Sequence, residues 1–370
     1  PSTNPTSTVM AKAISAVKAR DAIVVAPHPS AVNCSFEAAR TMQQAAENAG
    51  APAGLINCMR TISLAGTQEL MTHKRIRVIL ATGGGGMVKA AHSVGKPAFG
   101  VGPGNVPAYV DRSADLEKAA RYIVSSKSFD YSLICASEQS VVADKPIAAR
   151  LAQLMEANGA FFADEKTAAI LRHLLFHPDG TMNVATVGKS PQFLAQLGGF
   201  EIPAETRIIV VRLNRVGPEE PLSREKLTTV LGWYEEEGWE KGCERCIDLI
   251  HFGGRGHSLV LHATDQDVIM AFGLEKPVFR VLVNTMSTLG AVGLTTGVMP
   301  SLTLGAGGEG GSVTGDNITV HHLFNIKRLA YEITPPPDAA MVGSAKSVAP
   351  TQHELESIVK QVMLDILAQN

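Results

Sequence analysis

Residues 128–140 place one thiol where it could carry out covalent chemistry. Cys135 follows the apolar pair Leu133 and Ile134 and precedes a small polar turn at residues 136–139. Because a thiolate is a strong nucleophile, this setting predicts an enzyme that holds its substrate on sulfur at the mouth of a pocket. Free cysteine is also often inert packing, and the spacing alone leaves nucleophile and core filler about equally favoured.

Other polar side chains could assist such a nucleophile. Asn4 is followed by Pro5, where a carboxamide is ordinarily a turn residue. His257 has a pKa range that suits proton transfer, although a structural histidine fits the sequence as well. His28 and Glu225, taken singly, are interpreted as solvated surface residues.

The elements that must position these residues follow an α/β pattern. Short apolar, β-branched runs occur at 22–26, 77–81, 207–211 and 258–261. Alanine-rich segments with helical spacing occur at 35–48, 116–126 and 146–158. This alternation predicts parallel sheets covered by helices. Glycine clusters at 83–86, 100–104, 253–256 and 305–311 are expected just after strands, where open α/β sheets bind ligands.

Together these motifs resemble the aldehyde dehydrogenase superfamily, specifically its CoA-acylating branch, which includes the acetaldehyde and propionaldehyde dehydrogenases. The motifs stand in the family's order at Asn4-Pro5, Pro27-His28-Pro29, residues 81–84, residues 100–107 and residues 134–139. The pattern continues at residues 225–227, 254–258 and 300–305, so the resemblance covers about residues 1 to 333. Single glycine motifs are weak evidence, whereas their shared order is specific.

The resemblance implies two Rossmann-like parallel-sheet α/β domains with a cleft between them, plus a tethered C-terminal helix. The expected divisions are 1–108 for the cofactor-binding domain, 109–317 for the catalytic domain, 318–333 for a C-terminal strand used in oligomerisation, 334–350 for a linker and 351–370 for an amphipathic targeting helix. Family members carry a further segment ahead of Asn4. The cofactor-binding domain is therefore expected to be incomplete at its N-terminus.

The resemblance also implies roles for the residues. Cys135 would attack the aldehyde carbonyl, and the Asn4 carboxamide with the Cys135 backbone N–H would stabilise the oxyanion, at roughly 3 kcal/mol per donor. Hydride would pass to NAD and leave an acyl thioester on sulfur. His257 would take a proton from the CoA thiol or contact the cofactor. The expected cofactor-binding residues are Pro27, His28, Pro29, Thr82, Gly83, Gly84, Val101, Gly102, Gly104 and Glu225.

The expected acyl acceptor is CoA rather than water. Hydrolytic relatives carry a glutamate base at the position that matches Val101. Water, with a pKa of about 15.7, needs such a base, whereas a thiol with a pKa of about 8.5 is already partly ionised near neutral pH. A hydrolytic NAD(P)-dependent dehydrogenase and a non-catalytic microcompartment assembly fragment remain the alternatives.

Composition limits the partners. The chain has 33 Lys plus Arg against 35 Asp plus Glu, a net charge of −2, which predicts binding of neither nucleic acid nor an anionic membrane. An odd number of cysteines, five, indicates reduced thiols and a cytoplasmic location. Cys243 and Cys246 have C-x-x-C spacing without a second ligand pair, so no metal is predicted. A dimer or tetramer of identical subunits is expected from the resemblance.

The C-terminal segment differs in composition from the rest. A Pro, Ala, Gly and Ser-rich stretch reaches Pro350 and predicts a linker. An apolar stripe then follows helical spacing at Leu355, Ile358, Val359, Val362, Met363, Ile366 and Leu367. This pairing resembles encapsulation peptides and implies a microcompartment lumen and a shell protein that binds 351–370. The alternative is a helix that packs on its own or a neighbouring subunit.

Overall fold

The fold consists of parallel strands that alternate with helices, as the sequence pattern predicts. A computed structural model describes residues 4–334 and 351–368. The strands are β1 (Ile23–Val25), β2 (Ile56–Cys58), β3 (Ile79–Thr82), β4 (Ala98–Val101), β5 (Val106–Val110), β6 (Glu138–Asp144), β7 (Ala160–Phe162), β8 (Ile208–Arg212), β9 (Val230–Glu236), β10 (Leu259–His262) and β11 (Val281–Val283). The helices are α1 (Ser7–Lys18), α2 (Val32–Asn48), α3 (Leu64–Thr72), α4 (Gly85–His92), α5 (Leu116–Ser128), α6 (Lys145–Ala157), α7 (Glu165–Leu175), α8 (Pro191–Gly198), α9 (Gly238–Gly253), α10 (Gln266–Glu275), α11 (Ser287–Ala291) and α12 (Gln352–Ala368).

The largest sheet has seven parallel strands in the order β11-β10-β5-β6-β9-β8-β7. Strands β1 and β2 form one separate parallel pair, and β3 and β4 form another. The central strands β5 and β6 are buried at every residue, as is typical of parallel sheets covered on both faces. Along β5, Ala108 and Val110 belong to one apolar cluster and Tyr109 to another. This alternation follows the strand pleat and places a core on each face of the sheet.

Local sequence signals begin and end the helices. The Asp115 carboxylate accepts a hydrogen bond from the Lys118 backbone N–H at 3.0 Å and caps α5. Asp164 caps α7 in the same way through the Thr167 N–H at 2.8 Å. Gly199, with a left-handed φ of 69°, ends α8, as glycine commonly does.

Some expected boundaries differ from the structure. β5 pairs with β6 and β10, so the division expected after residue 108 falls inside a strand of the large sheet, and the division into domains stays a prediction. The strand expected within 318–333, all of which the structure describes, is not formed. A 3₁₀ turn at Val320–His322 occupies part of it. The Ile318 N–H donates to the Thr303 carbonyl at 2.8 Å, but no ladder of strand hydrogen bonds continues through the described residues 319–333.

Residues 325–370 form a second unit, described here by itself. Its residues 325–334 are exposed irregular chain, and α12 confirms the predicted helix. The Thr351 hydroxyl accepts from the Glu354 N–H at 3.3 Å, while the Glu354 carboxylate accepts from the Thr351 N–H at 2.8 Å, which is a capping box. Leu355 and Val359 of the predicted stripe are exposed. The predicted linker beyond Thr334 and the side chains of Ile358, Val362, Met363, Ile366 and Leu367 lie outside the described residues.

Candidate active site

Residues from neighbouring strands of the large sheet meet at one edge. Gly104 precedes β5, Cys135 precedes β6, Glu225 precedes β9, His257 precedes β10 and Arg280 precedes β11. These strands are neighbours in the sheet and run parallel, so their amino ends lie along the same edge. The sequence pattern had placed the glycine cluster 253–256 after a strand. It instead lies between α9 and β10, on the amino side of the sheet, because the strand follows the cluster.

An unusual loop leads to Cys135. Asp130, Tyr131 and Ser132 have left-handed φ values of 49°, 48° and 64°, each of which costs on the order of 1–3 kcal/mol for a non-glycine residue. The buried Nζ of Lys127 donates to the Ser132 hydroxyl at 2.9 Å and to the Gln139 side-chain oxygen at 3.1 Å. These bonds hold the loop on both sides of the cysteine and offset its backbone strain.

The structure brings Cys135 and His257 together. The distance from Cys135 Sγ to His257 Nε2 is 3.2 Å. Cys135 is half-buried rather than exposed as expected, because Ile134 and Cys135 pack against the apolar core. Burial raises the pKa of the thiol to about 12, and the Glu225 charge adds to the rise, while Arg280 and the backbone N–H groups of Cys135 and Ala136 oppose it.

His257 is held as a neutral ring. The residue is 1% exposed, and burial lowers its pKa to about 3, with a further contribution from the Arg280 charge. Its Nδ1 lies 3.1 Å from the Ser258 hydroxyl. A neutral imidazole therefore faces a neutral thiol at ordinary pH, so the pair is not an imidazolium–thiolate ion pair.

Gly104 packs against the nucleophile. A Cβ at this position would lie 2.1 Å from the Cys135 carbonyl oxygen and 3.2 Å from His257 Cε1. The Gly104 N–H donates to the Glu225 carboxylate at 2.9 Å. Burial raises the pKa of Glu225 to about 7 although this bond and the charges of Lys127 and Lys226 lower it. Both residues were predicted to contact the cofactor, and the structure places both beside Cys135.

The Asn4 side chain is hydrogen-bonded to the loop that leads to Cys135. Its Nδ2 donates to the Asp130 carboxylate at 2.6 Å, and Asp130 is five residues ahead of Cys135. The carboxamide is thus anchored to the segment that carries the nucleophile. Asp130, Ser258 and Arg280 were not predicted from sequence. The only signal for Arg280 was a charge at the start of a β-branched run.

The predicted cofactor residues group at the carboxyl ends of the small-sheet strands. Thr82 pairs in register with Val101, and the Gly83 N–H donates to the Val101 carbonyl at 3.3 Å. Gly84 is the N-cap of α4, and a Cβ at Gly84 would meet nothing within 4 Å, which leaves the start of the helix open. Open glycine backbone between a strand and a helix N-terminus fits a dinucleotide pyrophosphate.

Of the remaining predicted cofactor residues, three follow β1 and one, Gly102, follows β4. Pro27, His28 and Pro29 lead into a 3₁₀ turn at Pro29–Ala31, where the His28 ring lies 2.6 Å from the Ser30 hydroxyl. Gly102 lies just beyond β4, and a Cβ there would meet nothing within 4 Å. The predicted residues therefore lie in three places: after β1, at the ends of β3 and β4, and around Cys135.

Neither a metal cluster nor a membrane-spanning helix is found in the described part of the chain. Within residues 4–334 and 351–368, no group of three or more His, Cys, Asp or Glu side chains is placed to hold a metal ion. Cys243 and Cys246 lie on α9, where the Cys243 thiol donates to the Glu275 carboxylate at 3.3 Å and contacts Lys276 Nζ. No helix in these ranges is long and apolar enough to cross a membrane.

Comparison with known proteins identifies the family. The model of the aldehyde dehydrogenase family matches residues 3–160. The crystal structure of an acetylating aldehyde dehydrogenase from Geobacillus thermoglucosidasius is 49% identical and superposes with a TM-score of 0.89 over 90% of this chain and 74% of that one. The chain belongs to the aldehyde dehydrogenase family.

Two further relatives define the extent of the match. A propionaldehyde dehydrogenase from Rhodopseudomonas palustris, solved with bound CoA and an acylated cysteine, is 29% identical with a TM-score of 0.80 over 87% of this chain and 71% of that one. Aldehyde-alcohol dehydrogenase 2 of Entamoeba histolytica is 41% identical over 89% of this chain. The chain spans 39% of the length of that relative.

Proposed function

We propose that the protein oxidises a short-chain aldehyde, such as propionaldehyde or acetaldehyde, and transfers the acyl group to CoA through a thioester on Cys135. The observation that carries this proposal is the 3.2 Å contact between Cys135 Sγ and His257 Nε2 at the strand edge. It is supported by the similar structures, one described as acetylating and one with bound CoA and an acylated cysteine. Formation of a thioester on one thiol and its transfer to the thiol of CoA accounts for the cysteine–histidine contact and for the acylated cysteine with bound CoA in the similar structure.

In the first half-reaction, Cys135 loses its proton to solvent and its sulfur adds to the aldehyde carbon, so that negative charge develops on the carbonyl oxygen. The Asn4 carboxamide and the Cys135 backbone N–H are the proposed donors to this oxygen. The chemistry that NAD supplies when bound is acceptance of the hydride from the former carbonyl carbon. The open backbone of Gly83 and Gly84 and the turn at His28 are the proposed groups that hold it.

In the second half-reaction, the CoA sulfur replaces Cys135 on the acyl carbon. Val101, at the position where hydrolytic relatives carry a glutamate, is an apolar residue that is 2% exposed. No carboxylate can therefore activate water from that position. His257 is the proposed acceptor of the CoA thiol proton, because a neutral imidazole retains one nitrogen with a free lone pair.

One observation favours the hydrolytic alternative. Glu225 lies beside the nucleophile, bonded to the Gly104 N–H at 2.9 Å, with its pKa raised to about 7 mainly by burial. A carboxyl group with such a pKa can act as a general base near neutral pH. Product analysis separates the two functions. The CoA-acylating proposal requires acyl-CoA as the main product when CoA is present, whereas free acid formed at the same rate with and without CoA would contradict it.

The covalent step has its own test. The chain is incubated with propionaldehyde and NAD without CoA, and its intact mass is measured before and after CoA is added. We expect an acyl adduct that maps to Cys135 and disappears with CoA. Cys135→Ser is the control and should show no adduct that CoA removes. An adduct on another residue, or none in a folded protein that binds NAD, would overturn the proposed mechanism.

We propose that the second unit directs the protein into a bacterial microcompartment. The support is a capped helix, α12, with Leu355 and Val359 exposed, together with a linker-like composition ahead of it. Deleting residues 351–370 should leave CoA-dependent turnover unchanged and abolish co-purification with shell proteins. The matched control replaces exposed polar residues of the helix, such as Gln352, with alanine. Unchanged co-purification after deletion would contradict targeting, and lost assembly of the enzyme itself would indicate a subunit contact.

A further inference from the structure

Arg280 is a buried cation whose hydrogen-bond acceptors are all neutral. The residue is 3% exposed and donates to the Ser258 hydroxyl at 3.3 Å, the Gly315 carbonyl at 2.7 Å, the Asn317 side-chain oxygen at 3.3 Å and the Gly305 carbonyl. A charge buried without a carboxylate bonded to it is costly, because carbonyl and hydroxyl dipoles only partly replace water. Burial lowers the pKa of Arg280 to about 10, while the charges of Cys135 and Asp316 raise it, so the guanidinium is positive at neutral pH and its field acts on Cys135 as well as on Asp316.

A chain of contacts joins this cation to the nucleophile. Arg280 Nε donates to Ser258 Oγ at 3.3 Å, Ser258 Oγ lies 3.1 Å from His257 Nδ1, and His257 Nε2 lies 3.2 Å from Cys135 Sγ. Because the serine oxygen is fixed by the guanidinium, it in turn fixes the imidazole ring. The ring then presents its other nitrogen to the sulfur.

We propose that Arg280 is a positioning residue that supplies the positive charge for the Cys135 thiolate and, through Ser258, holds His257 against the sulfur. The inference deepens the proposed function, on which it rests only in taking Cys135 as the nucleophile. In this proposal the positive charge that stabilises the Cys135 thiolate is the guanidinium of Arg280 rather than an imidazolium of His257. Thiolate formation then requires no proton on His257, which remains available to accept one from the incoming thiol.

The charges that face the sulfur agree with this assignment. Glu225, on the β9 side, raises the pKa of Cys135, and Arg280, on the β11 side, lowers it. His257 contributes no charge at ordinary pH because burial and Arg280 lower its pKa to about 3. Among these neighbours, Arg280 is the side chain that favours the thiolate.

The test measures Cys135 directly. The rate of its alkylation by iodoacetamide is followed by peptide mass spectrometry from about pH 6 to about pH 10, in the full chain without substrate or cofactor. Removing the charge with Arg280→Gln should slow alkylation about tenfold at every pH of this range, which corresponds to a rise of the thiol pKa by on the order of one unit. Arg280→Lys keeps the charge and should retain most of the parental pH profile.

The control separates charge from packing. Asn317→Ala removes one contact of Arg280 and two of the surrounding loop but leaves the guanidinium in place, so it should lower the thermal stability and leave the pH profile unmoved. Equal upward shifts in Arg280→Gln and Arg280→Lys, or the same shift in Asn317→Ala, would overturn the electrostatic role and leave a structural one.

A second variant keeps the proposal testable if Arg280→Gln does not fold. Ser258→Ala retains the cation but breaks its link to His257, so acyl transfer to CoA should slow at least about tenfold while the rate of Cys135 alkylation at pH 8 is unchanged. Parental acyl transfer in Ser258→Ala would refute the positioning role. Failure of the proposed function appears separately, as free acid instead of acyl-CoA, and leaves the alkylation result readable.

Discussion

Replacing Gly104 with alanine tests how closely the loop ahead of β5 packs against the nucleophile. In the folded protein a Cβ at this position would lie 2.1 Å from the Cys135 carbonyl oxygen, whereas Cβ atoms in real proteins essentially never come closer than 3.0 Å to such an atom. The contact is with backbone, so rotating a side chain cannot relieve it. Either the 104 loop or the Cys135 loop must move.

The required shift sets the magnitude. Moving from 2.1 to 3.0 Å displaces one loop by about 0.9 Å, and Gly104 is bonded to Glu225 while Cys135 is held through the Lys127 network. A misplacement of about 1 Å at a reacting group costs on the order of 10²-fold in rate. Overpacking should also destabilise the fold by about 1–3 kcal/mol. We therefore expect Gly104→Ala to fold and to lose about 99% of its CoA-dependent turnover.

Two measurements check this expectation. Turnover is followed by NADH absorbance with propionaldehyde and CoA, and stability is measured by urea unfolding. Gly102→Ala is the matched control, because a Cβ there would meet nothing within 4 Å although the residue lies in the same loop. Its stability should match the parent, and its Cys135 should react with iodoacetamide at the parental rate. Parental turnover in Gly104→Ala would refute the close approach described here.

Three further predictions concern the groups around the site. Asn4→Ala should lower kcat about 10²- to 10³-fold, since the carboxamide is proposed to stabilise the oxyanion of the aldehyde adduct. Iodoacetamide labelling of Cys135 forms no oxyanion, so its rate should change little. Equal losses in kcat and in the labelling rate would indicate a structural role for Asn4. The rate of Cys135 alkylation should show no step near the usual imidazole pKa, because burial lowers the pKa of His257 to about 3. The rate should rise about tenfold per pH unit below the thiol pKa, because burial raises the pKa of Cys135 to about 12. A step in the rate near pH 6.5 would contradict the pairing of a neutral imidazole with a neutral thiol. Burial raises the pKa of Glu138 to about 7, so between about pH 4.5 and pH 7 the folded state binds more protons than the unfolded state and loses stability as pH rises. Glu138→Gln should therefore increase the free energy of unfolding at pH 8 by up to about 3 kcal/mol and leave it unchanged below about pH 4. An equal increase at both pH values in urea unfolding would refute the raised pKa of Glu138.

Much of the architecture could be predicted from local patterns. The β-branched runs at 22–26, 77–81 and 207–211 each overlap a strand, and the alanine-rich segment at 116–126 lies within α5. Such runs report burial directly, since parallel strands covered on both faces are apolar throughout. The division expected after residue 108 falls inside β5 for a related reason. β5 is as apolar as β4, and nothing local distinguishes a strand of one sheet from a strand of another.

Some residues of the site could be predicted from local sequence, whereas others could be found only from tertiary contacts. Cys135 could be selected because its flanking sequence and the order of the surrounding motifs are local features. Ser258 and Arg280 could not, because they reach the sulfur only through contacts between different strands. Asn4 was selected, but its bond to Asp130 spans 126 residues and has no sequence signature.

The sequence by itself therefore determined the family and the alternation of strands and helices and indicated Cys135 as the proposed nucleophile, because each depends on residues that are neighbours along the chain. The tertiary structure decided which edge of the sheet holds the chemistry. Cys135 and its neighbours, including Gly104 and Glu225, lie at the amino ends of β5, β6, β9, β10 and β11, and the other cofactor candidates lie at the carboxyl ends of β1, β3 and β4. Strand direction and order set that arrangement, and both are fixed only when distant segments pair and bury their apolar faces.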